Sequence, residues 1–478
     1  MDRTLLSRVE QWYGAHREEM LERLCALMRI PSVARYDDPD APYGRECRAV
    51  MDAYEAMALA LGFSVERYGD HVVSTARHPA DMADTLGLWA HLDVVPPGSG
   101  WLNPPFEPVL RDGFLLGRGS QDNKSAAVGA LYLIRCLDEL DISLPFSVRA
   151  YAGCDEECGS RGVVWFASHE PCPALSLVPD CRFPVCYGEK GIIDMAFRAK
   201  SPLSEDVLAL EGGVASNVIP DAARVALRST PERLARLAAL PEGVTAEAEG
   251  EALILTAHGA SGHAGFPVGR TNAIRVLTKA LLEGGWLSGA DEAAFRFLDA
   301  VNEDCFGAAL GIAMEDAESG ALTCAGTVLS LDGRRPVLTA NIRYCVTADG
   351  ETIRRTLAQR AERDGFELAR FGDSPPNLYP KDSPVVGALV GVYNAITGDA
   401  ARAYTMSGGT YARRLPRAMG FGIGGLERDP HPLLPEGHGG AHLPDEALDV
   451  DAWMRAMVIL TMGIVEIGNE NLLRQGGQ

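Results

Sequence analysis

Five short stretches carry side chains suited to hydrolytic metal chemistry: His91-Leu92-Asp93, Gly117-Arg118-Gly119-Ser120-Gln121-Asp122-Asn123-Lys124, Asp155-Glu156-Glu157, Pro179-Asp180 and His442-Leu443-Pro444-Asp445-Glu446. Each falls at, or just after, the end of a segment that reads as a strand, where α/β sheets gather their ligands. Singly they mean little. A histidine at a strand end is more often structural, a Glu-Glu pair is usually a solvated surface feature, and a glycine run is often only a turn. Together they offer imidazole nitrogens and carboxylate oxygens, which bind Zn²⁺ at about 2.0–2.2 Å. Two cations about 3.5–4 Å apart activate a water and polarise a carbonyl together. Such a pair requires one carboxylate shared by both ions, outer histidine and carboxylate ligands, and a further carboxylate to carry a proton. Adjacent residues leaving a strand point different ways, so one of Glu156 and Glu157 can ligate while the other faces the water. Asp93, two residues beyond His91, can reach back to the second ring nitrogen and orient it.

The hydrophobic pattern indicates the elements that position these residues. Leu86 to His91 reads as a buried strand; Phe146, Val148, Ala150 and Ala152 alternate with Ser147, Arg149 and Tyr151 in a second strand that runs into Asp155. Between them, Asn123 to Leu137 is a helix with Ala127, Leu131, Ile134 and Leu137 on one stripe. Met1 to Arg35 has the period of an amphipathic helix, through Leu6, Val9, Tyr13, Met20, Leu24 and Leu27. After Gly188 the texture changes: Ile193, Met195 and Phe197 alternate with Asp194, Ala196 and Arg198, and an Ala-rich amphipathic helix follows near Pro231 to Leu240. Helical periodicity resumes from Pro384 to Ile396, and the tail is a helix opened by Asp449 and Asp451 as capping candidates. The expected fold is α/β: a discontinuous domain, 1–188 and 383–478, with a mainly parallel sheet, interrupted by an α+β segment at 189–382.

Length and charge restrict the function further. A chain of 478 residues is long enough for two domains. Forty-four Lys+Arg against 65 Asp+Glu give a net charge of −21, which repels nucleic acid and acidic membranes. The apolar run Ala456 to Val465 is far shorter than a membrane span, and no apolar stretch follows a basic start as a signal peptide would require. Eleven scattered cysteines, an odd number, do not form a disulfide framework. The expectation is a cytoplasmic protein with reduced thiols. Cys158 and Cys181, beside candidate ligands, read as small packing residues. His16, His71, His78, His169 and His431 read as surface residues.

This pattern resembles the M20 metallopeptidases, and the likeness runs from about Ile30 to the C-terminal helix. The middle segment shares it: Gly212-Gly213 with Asn217-Val218-Ile219-Pro220, Gly262-His263-Ala264 followed by Gly269 and Asn272-Ala273, and Asn341-Ile342-Arg343 look like lid-domain signatures. Ser407-Gly408-Gly409-Thr410-Tyr411 is similar to the loop of the PepV-like dipeptidase branch. The resemblance implies that His91 and Asp180 hold one divalent ion and Glu157 and His442 the other, with Asp122 bridging. Zn²⁺ is the expected metal, with Mn²⁺ or Co²⁺ as alternatives. It implies that Glu156 is general base and acid, that Asp93 orients His91, and that the peptide after Asp122 is cis. In the lid, His263 would stabilise the oxyanion, Asn217 and Arg343 would bind substrate, and Gly408 and Gly409 would bring backbone to the same end.

Where two histidines compete, His442 is favoured over His438 by the Asp445-Glu446 that follows, and His263 over His258 by Gly262. The expected substrate is a dipeptide with free ends, acted on by a monomer, since a long lid resembles branches in which one chain supplies the whole site. An N-acyl amino-acid deacylase is the alternative, and a catalytically silent binding protein the remote one. One departure stands out. Asp122-Asn123-Lys124-Ser125 replaces the usual Asp-Asp-Lys-Gly of the dipeptidase branch, which suggests a carboxylate missing near the substrate's amino group.

Overall fold

The computed structural model describes residues 2–430 and 433–474; His431 lies outside the described residues. The chain divides into two compact units, one of Met1–Tyr187, Leu378–Tyr404 and Thr410–Gln478, the other of Gly188–Asn377 with Thr405–Gly409. The second crossing thus falls at 377/378 where the sequence suggested 382/383, and Thr405–Gly409 goes with the middle segment.

In the first unit, helix α1 (Arg3–Met28) is opened by Asp2, whose carboxylate accepts the N–H groups of Thr4 and Leu5. It buries Val9, Tyr13, Met20, Leu24 and Leu27. Strands β1 (Ser64–Tyr68), β2 (Val72–Ala76), β3 (Thr85–His91), β4 (Ser147–Gly153) and β5 (Leu175–Val178) join strand Ala418–Gly420 in the order β1-β2-β4-β3-β5-(418–420). The four strands from β4 onward are mutually parallel, and β1 and β2 add antiparallel pairings at one side. Every residue of β3, β4 and β5 is buried, as strands covered on both faces require.

Helix α2 (Lys124–Glu139) departs from the expected single stripe. From Lys124 to Leu137 it is buried all round except at Arg135. A Cβ on Gly129 would sit 2.5 Å from Met457 Sδ of the C-terminal helix Val450–Asn469, so glycine makes room for that side chain. Asp449 caps that helix as expected, accepting from Asp451 and Ala452. Among the described residues no helix is long and apolar enough to cross a membrane.

The second unit is built on an antiparallel sheet. Its strands are β6 (Gly191–Ala199), β7 (Val207–Gly212), β8 (Ala222–Arg228), β9 (Val244–Glu249), β10 (Ala252–His258), β11 (Thr323–Asp332), β12 (Arg335–Tyr344) and β13 (Phe366–Ser374), ordered β9-β10-β8-β7-β11-β12-β6-β13. Ile193, Met195 and Phe197 of β6 and Leu338, Ala340 and Ile342 of β12 enter one core, the alternation expected of a sheet with one covered face. Gly213 has φ +69°, and a Cβ there would lie 1.9 Å from the Thr327 carbonyl oxygen, so only glycine fits. The helix expected over Pro231 to Leu240 is shorter. It runs Pro231–Arg236 with one tighter turn to Ala239, stops where Leu240, which precedes Pro241, is extended, and buries no residue.

Candidate active site

Parallel pairing of β3 with β4 and with β5 brings the carboxyl ends of the three strands side by side. His91 ends β3, Asp155-Glu156-Glu157 follows β4 and Pro179-Asp180 follows β5, so their side chains converge. His91 Nε2 lies 2.9 Å from Asp122 Oδ1 and 3.7 Å from Asp180 Oδ2. The second Asp122 oxygen lies 3.0 Å from His442 Nε2, which is 3.1 Å from Glu157. Asp122 therefore stands between two imidazoles, one oxygen to each.

Two overlapping groups can each surround an ion, His91 with Asp122 and Glu157, and His91 with Glu156 and Asp180. The second places Glu156 nearer to ligand distance than the sequence suggested. The structure thus brings together His91, Asp122, Glu156, Glu157, Asp180 and His442. It directs the rival His438 elsewhere, with Nδ1 2.7 Å from Asp445.

Asp93 differs in detail from expectation. The nearest partner of His91 Nδ1 is the Asp93 carbonyl oxygen at 3.0 Å, with the carboxylate at 3.6 Å. The carboxylate instead accepts the backbone N–H groups of Glu156 and Glu157, at 3.1 and 3.2 Å.

Two residues of the sequence motifs, Arg118 and Glu446, have no role of their own in the sequence reading. Glu446 is fully buried and accepts Gly119 N–H and Arg118 Nη1 on one oxygen, Gln121 N–H and Asp122 N–H on the other. Arg118 also donates to the carbonyls of His442 and Leu443. This ion pair ties the loop bearing Asp122 to the segment bearing His442; opposite charges within two glycine- and proline-bearing motifs were its only sequence signal. The Asp122-Asn123 peptide is cis.

The charges of the cluster shift its protons. Burial opposes a proton on His91, but Asp122, Asp93 and Asp180 outweigh it and hold the imidazole well above its usual value. Burial likewise opposes a proton on His442, yet Asp122 and Glu157 push it up to about 11. Burial, followed by the charges of Asp180, Glu157 and Asp93, raises the Glu156 carboxyl despite the opposing pull of His91. Burial and Asp122 raise Glu157. Asp122, Glu156, Glu157 and Asp180 together carry four negative charges when ionised, which two divalent cations would balance, and the donors are all nitrogen or oxygen. The residues present fit such a pair.

Asn123 is 1% exposed and its amide is engaged internally, by His91 N–H, Pro179 O and Asp180 Oδ1. The suggestion that this position faces a substrate's amino group is corrected: the side chain points into the protein.

The remaining candidates lie in the second unit. Val218 pairs with His263, and Ala264 N–H donates to the Asn217 carbonyl, so Asn217 and His263 are neighbours. Gly265 N–H donates to His263 Nδ1 at 3.0 Å, which leaves the proton of the neutral ring on Nε2, as a donor. Arg343 on β12 is held by Asn341 Oδ1 and by the Ser407 carbonyl, each at 2.9 Å, which joins it to the segment of Gly408 and Gly409. A Cβ on Gly265 would lie 2.9 Å from the His263 ring and 3.5 Å from Arg343 Nε, so both residues border one corner.

Residues 87–464 match the model of peptidase family M20/M25/M40. A Bacillus subtilis (strain 168) protein named "Putative dipeptidase YtjP" is 31% identical over 470 residues, covering 94% of this chain and 97% of its own. The dipeptidase Dug1p of Saccharomyces cerevisiae shares the fold, with a TM-score of 0.59 at 14% identity over 97% of this chain and 98% of that one. YXEP of Bacillus subtilis, described as a dinuclear metal binding peptidase, aligns with a TM-score of 0.50 at 11% identity over 95% and 99% of the two chains.

Proposed function

Since the chain belongs to peptidase family M20/M25/M40, a family of metal-dependent peptidases, we propose that it hydrolyses the amide bond of dipeptides with free amino and carboxyl ends. The observation that carries this reading is the convergence of His91, Asp122, Glu157, Asp180 and His442 around Glu156 at the strand ends. We assign one cation to His91 and Asp180, the other to Glu157 and His442, and the shared position to Asp122. Zn²⁺ is the proposed metal, with Mn²⁺ and Co²⁺ able to use the same donors. When bound, the pair supplies Lewis acidity that polarises the scissile carbonyl and acidifies water.

Glu156 takes the proton from the attacking water and returns it to the leaving amine. The raised Glu156 carboxyl suits a group that must hold a proton between those events. Asp93 fixes the turn from which Glu156 projects. The Nε2 donor of His263 is assigned to the oxyanion of the tetrahedral intermediate. Asn217, Arg343 and the backbone of Gly408 and Gly409 are assigned to the substrate, with Arg343 pairing its carboxylate. The eleven free cysteines support a reducing, cytoplasmic setting, and a monomer remains our assignment.

The test is a panel of unblocked dipeptides and N-acetyl amino acids, assayed with metal and after exhaustive chelation. Dipeptide cleavage that disappears on chelation is expected. Preference for the N-acetyl compounds would make the protein a deacylase, and full activity after chelation would remove the metal mechanism.

A further inference from the structure

Asn123 stands at the junction of the three elements that carry one half of the cluster. Its Oδ1 accepts the backbone N–H of His91 at 3.3 Å; its Nδ2 donates to the Pro179 carbonyl at 3.1 Å and to Asp180 Oδ1 at 3.0 Å. The other Asp180 oxygen is the one 3.7 Å from His91 Nε2. One side chain therefore ties the end of β3 to the end of β5 and distinguishes the two oxygens of a candidate ligand.

We propose that Asn123 is a positioning residue for the His91/Asp180 cation. Its amide holds one oxygen of Asp180 and so keeps the other turned toward His91, the orientation in which the two residues would hold a cation together. The chemistry of the position requires an amide. Two acceptors, Pro179 O and Asp180 Oδ1, face Nδ2, while a donor, His91 N–H, faces Oδ1. Only a group with a donor at one end and an acceptor at the other satisfies all three, and at 1% exposure water does not replace a lost partner. A carboxylate would set an acceptor against two acceptors. Asp122, the next residue, is held separately by Glu446 through its backbone N–H. Loss of the Asn123 amide therefore disturbs the His91/Asp180 half and leaves the anchoring of Asp122 and His442 in place.

This assignment rests on the two-cation reading above, and the experiment separates the two. Metal-free wild-type protein, Asn123→Ala and Asn123→Leu are titrated with Zn²⁺ in a calorimeter, and each is then saturated with Co²⁺ for its visible spectrum. Leucine keeps the branched skeleton of asparagine, with bulkier methyl groups at its ends, but offers neither donor nor acceptor, while alanine removes the same groups without adding bulk. Wild type is expected to bind two ions. In both variants one site weakens about 10–100-fold, the usual range for loss of a hydrogen bond to a metal ligand, and the other changes by less than about threefold. Loss of the amide removes the contact that fixes the orientation of the Asp180 carboxylate, so the visible Co²⁺ bands of both variants are expected to differ from wild type in position or intensity. Saturating metal stabilises the folded chain by mass action, so this spectrum is readable even in a variant whose metal-free form is loosely folded. A leucine variant with the wild-type isotherm and spectrum would reduce Asn123 to a packing residue and overturn the proposal. Equal weakening of both sites would overturn it too. Wild type that binds fewer than two ions would remove the two-cation reading itself.

Discussion

The backbone N–H of Glu156 donates to the Asp93 carboxylate at 3.1 Å, and Glu157 donates to the other oxygen at 3.2 Å. Asp93, fully buried, thus fixes the turn that carries the proposed proton shuttle and a proposed ligand together. Asp93→Ala removes both acceptors at once. Its kcat/KM for dipeptides is expected to fall about 10–100-fold, the scale of other changes one shell from a metal. Steady-state kinetics beside metal analysis check this, and wild-type kinetics in the variant would deny Asp93 a positioning role.

Glu156 and Glu157 are expected to separate cleanly by substitution. Glu156→Gln should retain metal and lose turnover by about 10²–10⁴, the range that one positioned acid/base group supplies. Glu157→Gln should lose one ion, because it removes a carboxylate 3.1 Å from His442. Reversed behaviour in the two variants would exchange their roles, an outcome the grouping of Glu156 with His91 and Asp180 makes worth measuring.

Much of this site was legible in the sequence because it sits on strand ends. Periodicity marks β3 and β4, and the polar residues that interrupt the apolar runs are His91 and Glu156-Glu157. What periodicity could not show was direction. Asn123 was read as a neighbour of the substrate, yet its side chain turns inward to His91, Pro179 and Asp180. Glu446 passed as the tail of a motif because its partners, Arg118 to Asp122, lie more than 300 residues away in sequence. The all-round burial of α2 was missed for a related reason: residues such as Lys124 and Ser125 look polar, and only tertiary partners, the Leu27 and Ile30 carbonyls for Lys124, explain their burial.

His263→Ala is expected to keep its metals and lose about 10²–10³ in turnover, the cost of one oxyanion donor. The donor assignment depends on Gly265 N–H occupying Nδ1. Unchanged turnover would remove His263 from the mechanism. Mixing His263→Ala with Glu156→Gln protein should restore nothing if each chain supplies its own site; recovered activity would show that chains share sites and that the monomer assignment is wrong.

Metal binding should release protons. The carboxylates raise both His91 and His442, the latter to about 11, so His442 is expected to hold its proton at neutral pH in metal-free protein, and His91 is shifted in the same direction. A cation binds only the neutral ring. Rising pH therefore favours binding, and apparent affinity is expected to increase between about pH 6 and 9, by up to about tenfold per pH unit for each proton displaced. Calorimetry in buffers of different ionisation enthalpy counts those protons. An affinity that is flat across this window would contradict the raised imidazoles.

A dipeptide presents a positive amino group and a negative carboxylate at fixed separation. On the proposed assignment the anionic cluster of Asp122, Glu156, Glu157 and Asp180 would meet the first, and Arg343 would pair with the second. A substrate bound by both ends would be selected for length, so longer peptides are expected to be cleaved poorly. An N-acyl block cancels the positive charge and adds bulk. Unblocked dipeptides are accordingly expected to exceed their N-acetyl counterparts by at least about tenfold in kcat/KM, or about 1.4 kcal/mol of discrimination in the transition state. The inward orientation of Asn123 sharpens this test. Because position 123 is buried and faces Asp180, Asn123→Asp should alter metal binding while leaving the ratio between blocked and unblocked substrates within about twofold, as no charge is added on the substrate's side. A ratio that widens strongly in Asn123→Asp would return that position to the substrate pocket, and N-acetyl amino acids outperforming dipeptides in wild type would replace the dipeptidase with a deacylase.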